Sequence, residues 1–376
     1  MNRIFIIAGE LSGDTHAAGL LRELKTLEPD MQVIGLGGPK MREVVGDGVE
    51  DWVETAGVVG LWEVLKMYRY FKEKMDAVLD SILGQKPEAV ILVDYPGFNL
   101  RLASSLRTAG YKGRILYYIS PQVWAWKKGR VKTMAKVLDL MICIFPFEKE
   151  FYEKSGLRTE FSGHPMVDRV VTLKRDWKRE PGLVGWFPGS RLNEVRRLFP
   201  IMMDAAKAIR LAVPTARFAV SAANETLASY MRQMADDHGM PEAKRWIETG
   251  TVYDLMQRAE AGAVASGTAT LEAACFGLPY TLVYNVSWPT YIIGKLVVRI
   301  KHLGIVNILA KREVVQELVQ GQLNSDTLAL ATTTLLTDSA KREHLQQDLA
   351  DVVATLGSGG AYTRAAKAVH EFLPAA

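Results

Sequence analysis

Cysteine is nearly absent from this sequence: two in 376 residues, Cys143 and Cys275, each among apolar neighbours. Two cysteines cannot build a disulfide framework or a thiolate metal cage, and their scarcity fits a reducing compartment. The six histidines, His16, His164, His238, His302, His344 and His370, are scattered and form no HxxxH pair. No cluster at metal-ligand spacing appears, so neither a metal nor another cofactor is indicated. A GxxxxGK[ST] loop is also lacking, which disfavours ATP hydrolysis. No apolar run approaches the ~18 residues of a membrane span. The chain enters a strand-like run at Arg3–Ala8 without a signal-peptide pattern, so a cytoplasmic protein is expected. Charge of one sign is not in excess: 46 Lys plus Arg against 42 Asp plus Glu leaves +4, which announces no nucleic-acid partner. Solenoid repeats and low-complexity segments are missing as well.

What is present is a composition ordinary for folded proteins, 48% hydrophobic, at a length that suggests two domains. Short apolar runs at 4–8, 90–93, 115–119 and 141–145 read as buried strands separated by amphipathic helices. The alternation restarts at 182–187, 218–221, 263–266 and 280–284, and after about residue 325 only helical patterns remain. Continuous apolar strands between helices imply parallel sheets covered on both faces. The expected class is therefore α/β, with two Rossmann-like doubly wound halves joined near residues 168–181. We delimit them as 1–168 and 169–345, followed by a helical tail at 346–376. Ligands of such sheets bind beyond the carboxyl ends of the strands, so the site is expected in the cleft facing both halves.

The residues just after the strands carry the chemistry. The first loop, Gly9-Glu10-Leu11-Ser12-Gly13-Asp14, lacks the glycine spacing of a dinucleotide loop, and its acids would repel phosphate. Glu10, Ser12 and Asp14 suit hydroxyls or amides of a sugar; Asp14 equally suits a helix cap. Asp94, in Asp94-Tyr95-Pro96-Gly97-Phe98-Asn99, stands where a carboxylate could take a proton from a hydroxyl, or could simply cap the turn. Asn99 could position a polar substrate or cap the helix. The run Ser120-Pro121-Gln122-Val123-Trp124-Ala125-Trp126-Lys127-Lys128-Gly129-Arg130 offers aromatic stacking for a sugar; packing beneath the loop would serve Trp124 equally well. In the second half, Gly189-Ser190-Arg191 and Ser266-Gly267-Thr268 each lie between a strand and a helix. Their backbone N–H groups and the Arg191 guanidinium suit a diphosphate, and Glu272 suits the hydroxyls of a ribose.

These motifs, together with Gly37-Gly38-Pro39-Lys40-Met41, Val59-Gly60-Leu61-Trp62-Glu63-Val64-Leu65, Phe145-Pro146-Phe147-Glu148, Gly163-His164-Pro165-Met166 and Val306-Asn307-Ile308-Leu309-Ala310 with Glu313 and Glu317, run nearly end to end. In them the chain resembles the bacterial lipid-A-disaccharide synthases, glycosyltransferases of the GT-B fold. The resemblance implies transfer of 2,3-diacylglucosamine from UDP to the 6-hydroxyl of 2,3-diacylglucosamine 1-phosphate, with inversion and without a metal. The products are UDP and the β-1,6 lipid A disaccharide 1-phosphate. It makes Asp94 the general base, with Glu10 the next catalytic candidate, and gives UDP to Arg191, Ser266, Gly267, Thr268, Glu272 and Asn307, alongside the Gly189 and Ser190 turn read above. Ser12, Asp14, Asn99 and Trp124 fall to the acceptor side. Relatives often carry a second acid where Gly97 stands here, so a two-carboxylate scheme lacks its partner within this loop.

An acylated substrate also gives the segment 57–79 a meaning. Leu61, Val64, Leu65, Tyr68, Phe71, Met75, Val78 and Leu79 follow helical spacing, with Trp62, Lys66, Arg69 and Lys72 nearby. Periodicity alone fits a helix facing the core. The resemblance favours contact of Leu61, Trp62, Leu65, Lys66 and Arg69 with the cytoplasmic face of the inner membrane, as a peripheral protein. It points further to a homodimer with exchanged C-terminal segments. Two rival readings are a UDP-sugar 2-epimerase, which needs no lipid surface, and an inactive UDP-sugar- or lipid-binding scaffold.

Overall fold

The computed structural model describes residues 2–53, 63–126, 129–297 and 301–374. They form two compact units, Met1–Pro165 with Leu356–Ala376, and Met166–Thr355. Residues 346–376, set apart in the sequence as one tail, are thus divided. The helix Ser339–Ala354 belongs to the second unit, and Ala361–Phe372 packs on Leu11–Leu27 of the first.

The first unit holds a seven-stranded parallel sheet in the order β3-β2-β1-β4-β5-β6-β7. Its strands are β1 (Arg3–Ala8), β2 (Gln32–Gly37), β3 (Val49–Asp51), β4 (Ala89–Val93), β5 (Arg114–Tyr118), β6 (Leu140–Cys143) and β7 (Thr159–Phe161). The central strands are apolar on both faces because helices cover both; all five residues of β4 are buried. The second unit has six parallel strands in the order β10-β9-β8-β11-β12-β13. These are β8 (Glu180–Phe187), β9 (Arg217–Ala222), β10 (Ile247–Thr249), β11 (Ala259–Ala265), β12 (Tyr280–Tyr284) and β13 (Glu317–Val319). Alternate residues feed opposite cores: Val184, Trp186, Phe218 and Val220 pack on one face, Leu183, Phe187, Ala219 and Val264 on the other.

Both sheets reverse direction at their centre. The chain winds outward from β1 through β2 to β3, then returns to place β4 on the other side of β1. The second unit repeats this with β8 and β11. Such a switch point leaves a crevice at the carboxyl ends of the two central strands, because their following loops diverge to opposite faces. Ala8 pairs with Val93 in the first sheet and Phe187 with Val264 in the second, so the loops at 9–14 and 94–99, and those at 188–191 and 266–268, leave their sheets side by side.

Candidate active site

Asp94 and Tyr95 leave β4 with φ of 48° and 49°, a left-handed pair that few side chains tolerate. Three bonds hold this turn. The Asp94 N–H donates to the Tyr118 carbonyl at 3.0 Å, while Tyr117 Oη and Asn99 Nδ2 donate to the Asp94 carbonyl at 2.5 and 2.7 Å. The Tyr95 ring meets Trp52 edge-on at 5.9 Å, and Trp52 is anchored by its indole N–H to the Ala8 carbonyl at 2.7 Å. Gly9 is required here, since a Cβ would stand 2.2 Å from the Tyr95 ring. Backbone strain is thereby held in place by packing and directed at one carboxylate. Ile119, at the end of the adjacent β5, is a second outlier with φ of 63°.

Burial raises the Asp94 carboxyl to about 6, and the negative charge of Glu10 adds to the rise. The first loop therefore brings a second carboxylate toward Asp94 even though position 97 is glycine. Glu10 and Ser12 are exposed at the start of the helix Leu11–Leu27. Asp14 is not. It is fully buried and accepts from the N–H groups of Gly38, Lys40 and Met41 at 2.8, 2.9 and 3.0 Å. Its carboxylate fastens the first turn of the helix Pro39–Val45, which withdraws it from any sugar. Asn99 is likewise buried, with its amide N–H groups on the carbonyls of Val93 and Asp94. Its amide N–H groups shape the loop, while its Oδ1 is buried without a partner among the described residues.

Trp124 is buried, edge-on to Phe147 at 5.0 Å, and its indole N–H donates to Glu148 Oε1 at 3.0 Å. Glu148 also accepts from the Phe145 N–H at 3.2 Å, and burial raises its carboxyl to about 7. Packing under the loop is thus the role seen for Trp124. Leu61 and Trp62 lie outside the described residues. Leu65 and Lys66 fall in the helix Glu63–Gln85, and Arg69 is exposed, paired with Glu73 at 2.7 Å. Farther along this helix, Phe71, Met75, Val78 and Leu79 pack on the first unit's core.

In the second unit Gly189 has φ of 104°, and Arg191 opens the helix Leu192–Ala212. Glu194, in the first turn, accepts from the N–H groups of Ser190 and Arg191 at 3.1 and 3.2 Å and pairs with the exposed Arg191 guanidinium at 2.9 Å. A carboxylate thus engages the donors of this turn. Across the switch point, Gly267 has φ of 147° with open space where a Cβ would stand. Gly267 and Thr268 are exposed at the start of the helix Thr268–Cys275, and Ser266 is half-buried. Two glycine turns, each feeding a helix N-terminus, therefore adjoin as an anion-receiving edge.

Glu272 lies one turn in, and burial raises its carboxyl above the usual range. Tyr253 Oη donates to Glu272 Oε1 at 3.0 Å, and the Arg169 guanidinium covers the Tyr253 ring at 4.9 Å. Asn307 is fully engaged. Its Nδ2 donates to the Val315 carbonyl and Glu317 at 2.7 and 2.8 Å, and its Oδ1 accepts from Val314 and Val315 N–H at 2.8 and 2.9 Å. An amide side chain has two donors and one two-pronged acceptor, so none is left for a nucleotide. Glu148, Glu194, Tyr253 and Arg169 were not singled out in the sequence for these roles. The acids three residues into a helix were detectable as capping signals; Tyr253 and Arg169 meet Glu272 only through the fold. Among the described residues no group of three His, Cys, Asp or Glu could hold a metal ion.

Two doubly wound parallel units, each with its crevice at a central switch point, define a glycosyltransferase-type GT-B fold. Solved structures share it: a putative UDP-N-acetylglucosamine 2-epimerase from Listeria monocytogenes (TM-score 0.62, 11% identity, 98% of this chain and 94% of that one) and the UDP-GlcNAc 2-epimerase from Neisseria meningitidis bound to UDP-GlcNAc (0.60, 11%, 99% of each). At that identity the likeness is one of fold. Lipid-A-disaccharide synthases from Geobacter sulfurreducens and Myxococcus xanthus are 41% and 35% identical, each across 99% of this chain and 97% and 98% of their own lengths. The family described as lipid-A-disaccharide synthetase matches residues 4–372, and the chain belongs to it. It is therefore an enzyme of lipid A biosynthesis, a glycosyltransferase rather than an epimerase.

Proposed function

We infer that this chain moves 2,3-diacylglucosamine from UDP to the 6-hydroxyl of 2,3-diacylglucosamine 1-phosphate with inversion. The observation that carries the reading is the end-to-end family match, read together with a base-like carboxylate at one switch point and an anion-receiving edge at the other. The Asp94 carboxylate would take the acceptor's proton as the glycosidic bond forms. A pKa near 6 makes it a stronger base than an ordinary aspartate while leaving it ionised at neutral pH. Glu10 would keep that pKa high. Arg191 and the N–H groups around Gly189 and Gly267 would stabilise charge on the departing diphosphate, with Glu272 on the ribose. Asn307 ties down the segment at Val314 and Val315, and Asp14 the first turn of the helix Pro39–Val45.

The same reading puts the protein peripherally on the cytoplasmic face of the inner membrane, through the segment that holds Leu61, Trp62 and Leu65. Trp62→Ser with Leu65→Ser should reduce sedimentation with liposomes. It also includes a homodimer: exchange of the C-terminal helix between copies would remake in trans every contact that helix makes within one chain. The deciding assay follows UDP release from UDP-2,3-diacylglucosamine with and without the monosaccharide acceptor. Release only with acceptor supports the transferase reading; acceptor-independent release or epimerisation would sink it.

A further inference from the structure

The helix Trp288–Val297, which follows β12, turns an unusual face to water. Trp288 and Ile292 are 61% and 54% exposed, Lys295 is exposed, and Tyr291 is half-buried. Their positions, 288, 291, 292 and 295, are the i, i+3, i+4, i+7 spacing of one helical stripe. Side chains of the stripe touch one another. Trp288 and Tyr291 meet edge-on at 5.8 Å, and Lys295 Nζ lies 5.3 Å from the Tyr291 ring centre. The approach to the helix is clamped to the turn after β13, since Gln320 accepts from the Val286 N–H at 3.1 Å and donates to its carbonyl at 2.8 Å. An amphipathic helix normally buries its apolar stripe; here an aromatic and aliphatic stripe points outward on a fixed base.

Along the sequence, the segment that holds this helix carries charge of one sign, although Arg312 at its far end is paired with Asp348 at 2.7 Å. Between Glu272 and Glu313 the sequence contains no Asp or Glu, while Lys295, Arg299, Lys301, Lys311 and Arg312 are basic. Lys295 and Lys301 are exposed with no carboxylate partner among the described residues. A second copy of this chain on this face would set lysines against lysines. An anionic lipid surface instead offers phosphate to the cations, an acyl boundary to Ile292, and a headgroup layer suited to the amphipathic rings of Trp288 and Tyr291. We propose that the helix Trp288–Val297 is a lipid-docking element of the nucleotide-binding unit, inserting Trp288 and Ile292 among anionic headgroups. It is distinct in sequence from the 57–79 segment, and it rests on the transferase reading only in that acylated substrates give the protein reason to meet lipid.

The test is sedimentation of the full chain with vesicles of phosphatidylcholine alone or mixed with phosphatidylglycerol. Trp288→Ser with Ile292→Ser should lower the bound fraction on mixed vesicles at least about fivefold. Lys295→Glu should weaken binding to mixed vesicles and leave the small binding to neutral ones unchanged. Because these side chains are exposed, the melting temperature and turnover of detergent-dispersed substrate should stay at wild-type values. Unchanged vesicle binding in both variants overturns the proposal. So does loss of self-association in the Trp288/Ile292 variant with vesicle binding intact, which would make the occupant another copy. If wild type binds vesicles through this stripe yet releases no UDP, the transferase reading fails and the docking element stands.

Discussion

At the scale of single residues, Asp94 combines a costly environment with a chemical use. Its carboxyl is raised from 3.8 to about 6, so the folded protein holds this proton more tightly than the unfolded chain does. Ionising it therefore costs stability, a cost absent below pH 3.8 and fully present above pH 6. Asp94→Asn removes the charge, and asparagine tolerates a φ of 48° better than most residues. The variant should be more stable than wild type by roughly 1–3 kcal/mol at pH 7.5, with the gain fading below pH 4, as denaturant titrations would show. Turnover should drop ~10²-fold or more at nearly unchanged UDP affinity, since asparagine cannot accept the proton. A variant keeping a third of wild-type turnover would remove Asp94 from the base role. In the wild type, kcat/KM should fall on the acid side with a midpoint near 6, where an unperturbed aspartate would give a midpoint near 4. Glu10→Gln should move that midpoint downward, because it deletes one of the two causes of the rise.

At the scale of loops and helices, the turn 188–191 shows how an anion site is kept in shape. Glu194 engages the N–H groups of Ser190 and Arg191 and pairs with the guanidinium, so a diphosphate must compete with a carboxylate already in contact with its donors. Arg191→Ala should weaken UDP binding by about 1.5 kcal/mol, the lower end for a charged hydrogen bond, because part of the interaction is offset by separation from Glu194. Calorimetric titration of the folded variant would check this, and wild-type affinity would take Arg191 out of the site. Much at this scale was readable in the sequence. β1, β4, β5, β6, β8, β9, β11 and β12 show as apolar runs because both their faces are covered. β3, β7, β10 and β13 escaped notice: each is three residues long and carries Glu, as in Val49-Glu50-Asp51 and Thr159-Glu160-Phe161. β2 is broken up by Gly35, which lets the chain pass so close to Ile6 that a Cβ would stand 1.9 Å from its carbonyl oxygen. The loops of the site were legible from glycine and acid spacing. The burial of Asp14 and Asn307 was not, since their partners lie in other segments, and Asn99 turns inward only because the strained turn at Asp94 brings the Val93 and Asp94 carbonyls to its amide.

At the scale of the whole molecule, the last helix belongs to the first unit, and this has a measurable consequence. Ala361, Ala365, Ala366 and Val369 are buried against the helix Leu11–Leu27, where Gly19 makes room for the Tyr362 ring; a Cβ there would stand 2.5 Å from it. Thr363 Oγ1 donates to Glu23 at 2.8 Å, Arg364 Nε to the Ser162 carbonyl at 2.8 Å, and the guanidinium groups of Arg114 and Arg158 lie 5.0 and 5.1 Å from the Phe372 ring centre. Counting the buried Leu356 and Leu373 as well, the apolar side chains of this segment contribute roughly 6–10 kcal/mol. That is comparable to the entire stability of a domain, about 5–15 kcal/mol. A chain ending at Thr355 should therefore lose the first unit's cooperative melting transition while the second unit, Met166–Thr355, keeps its own and still binds UDP. The outcome holds whether the helix packs within its own chain or is exchanged with another copy, because truncation removes it from both. Calorimetry with UDP titration would read both units at once. A truncated chain with two intact transitions would show that the C-terminal helix covers the first unit without supporting it.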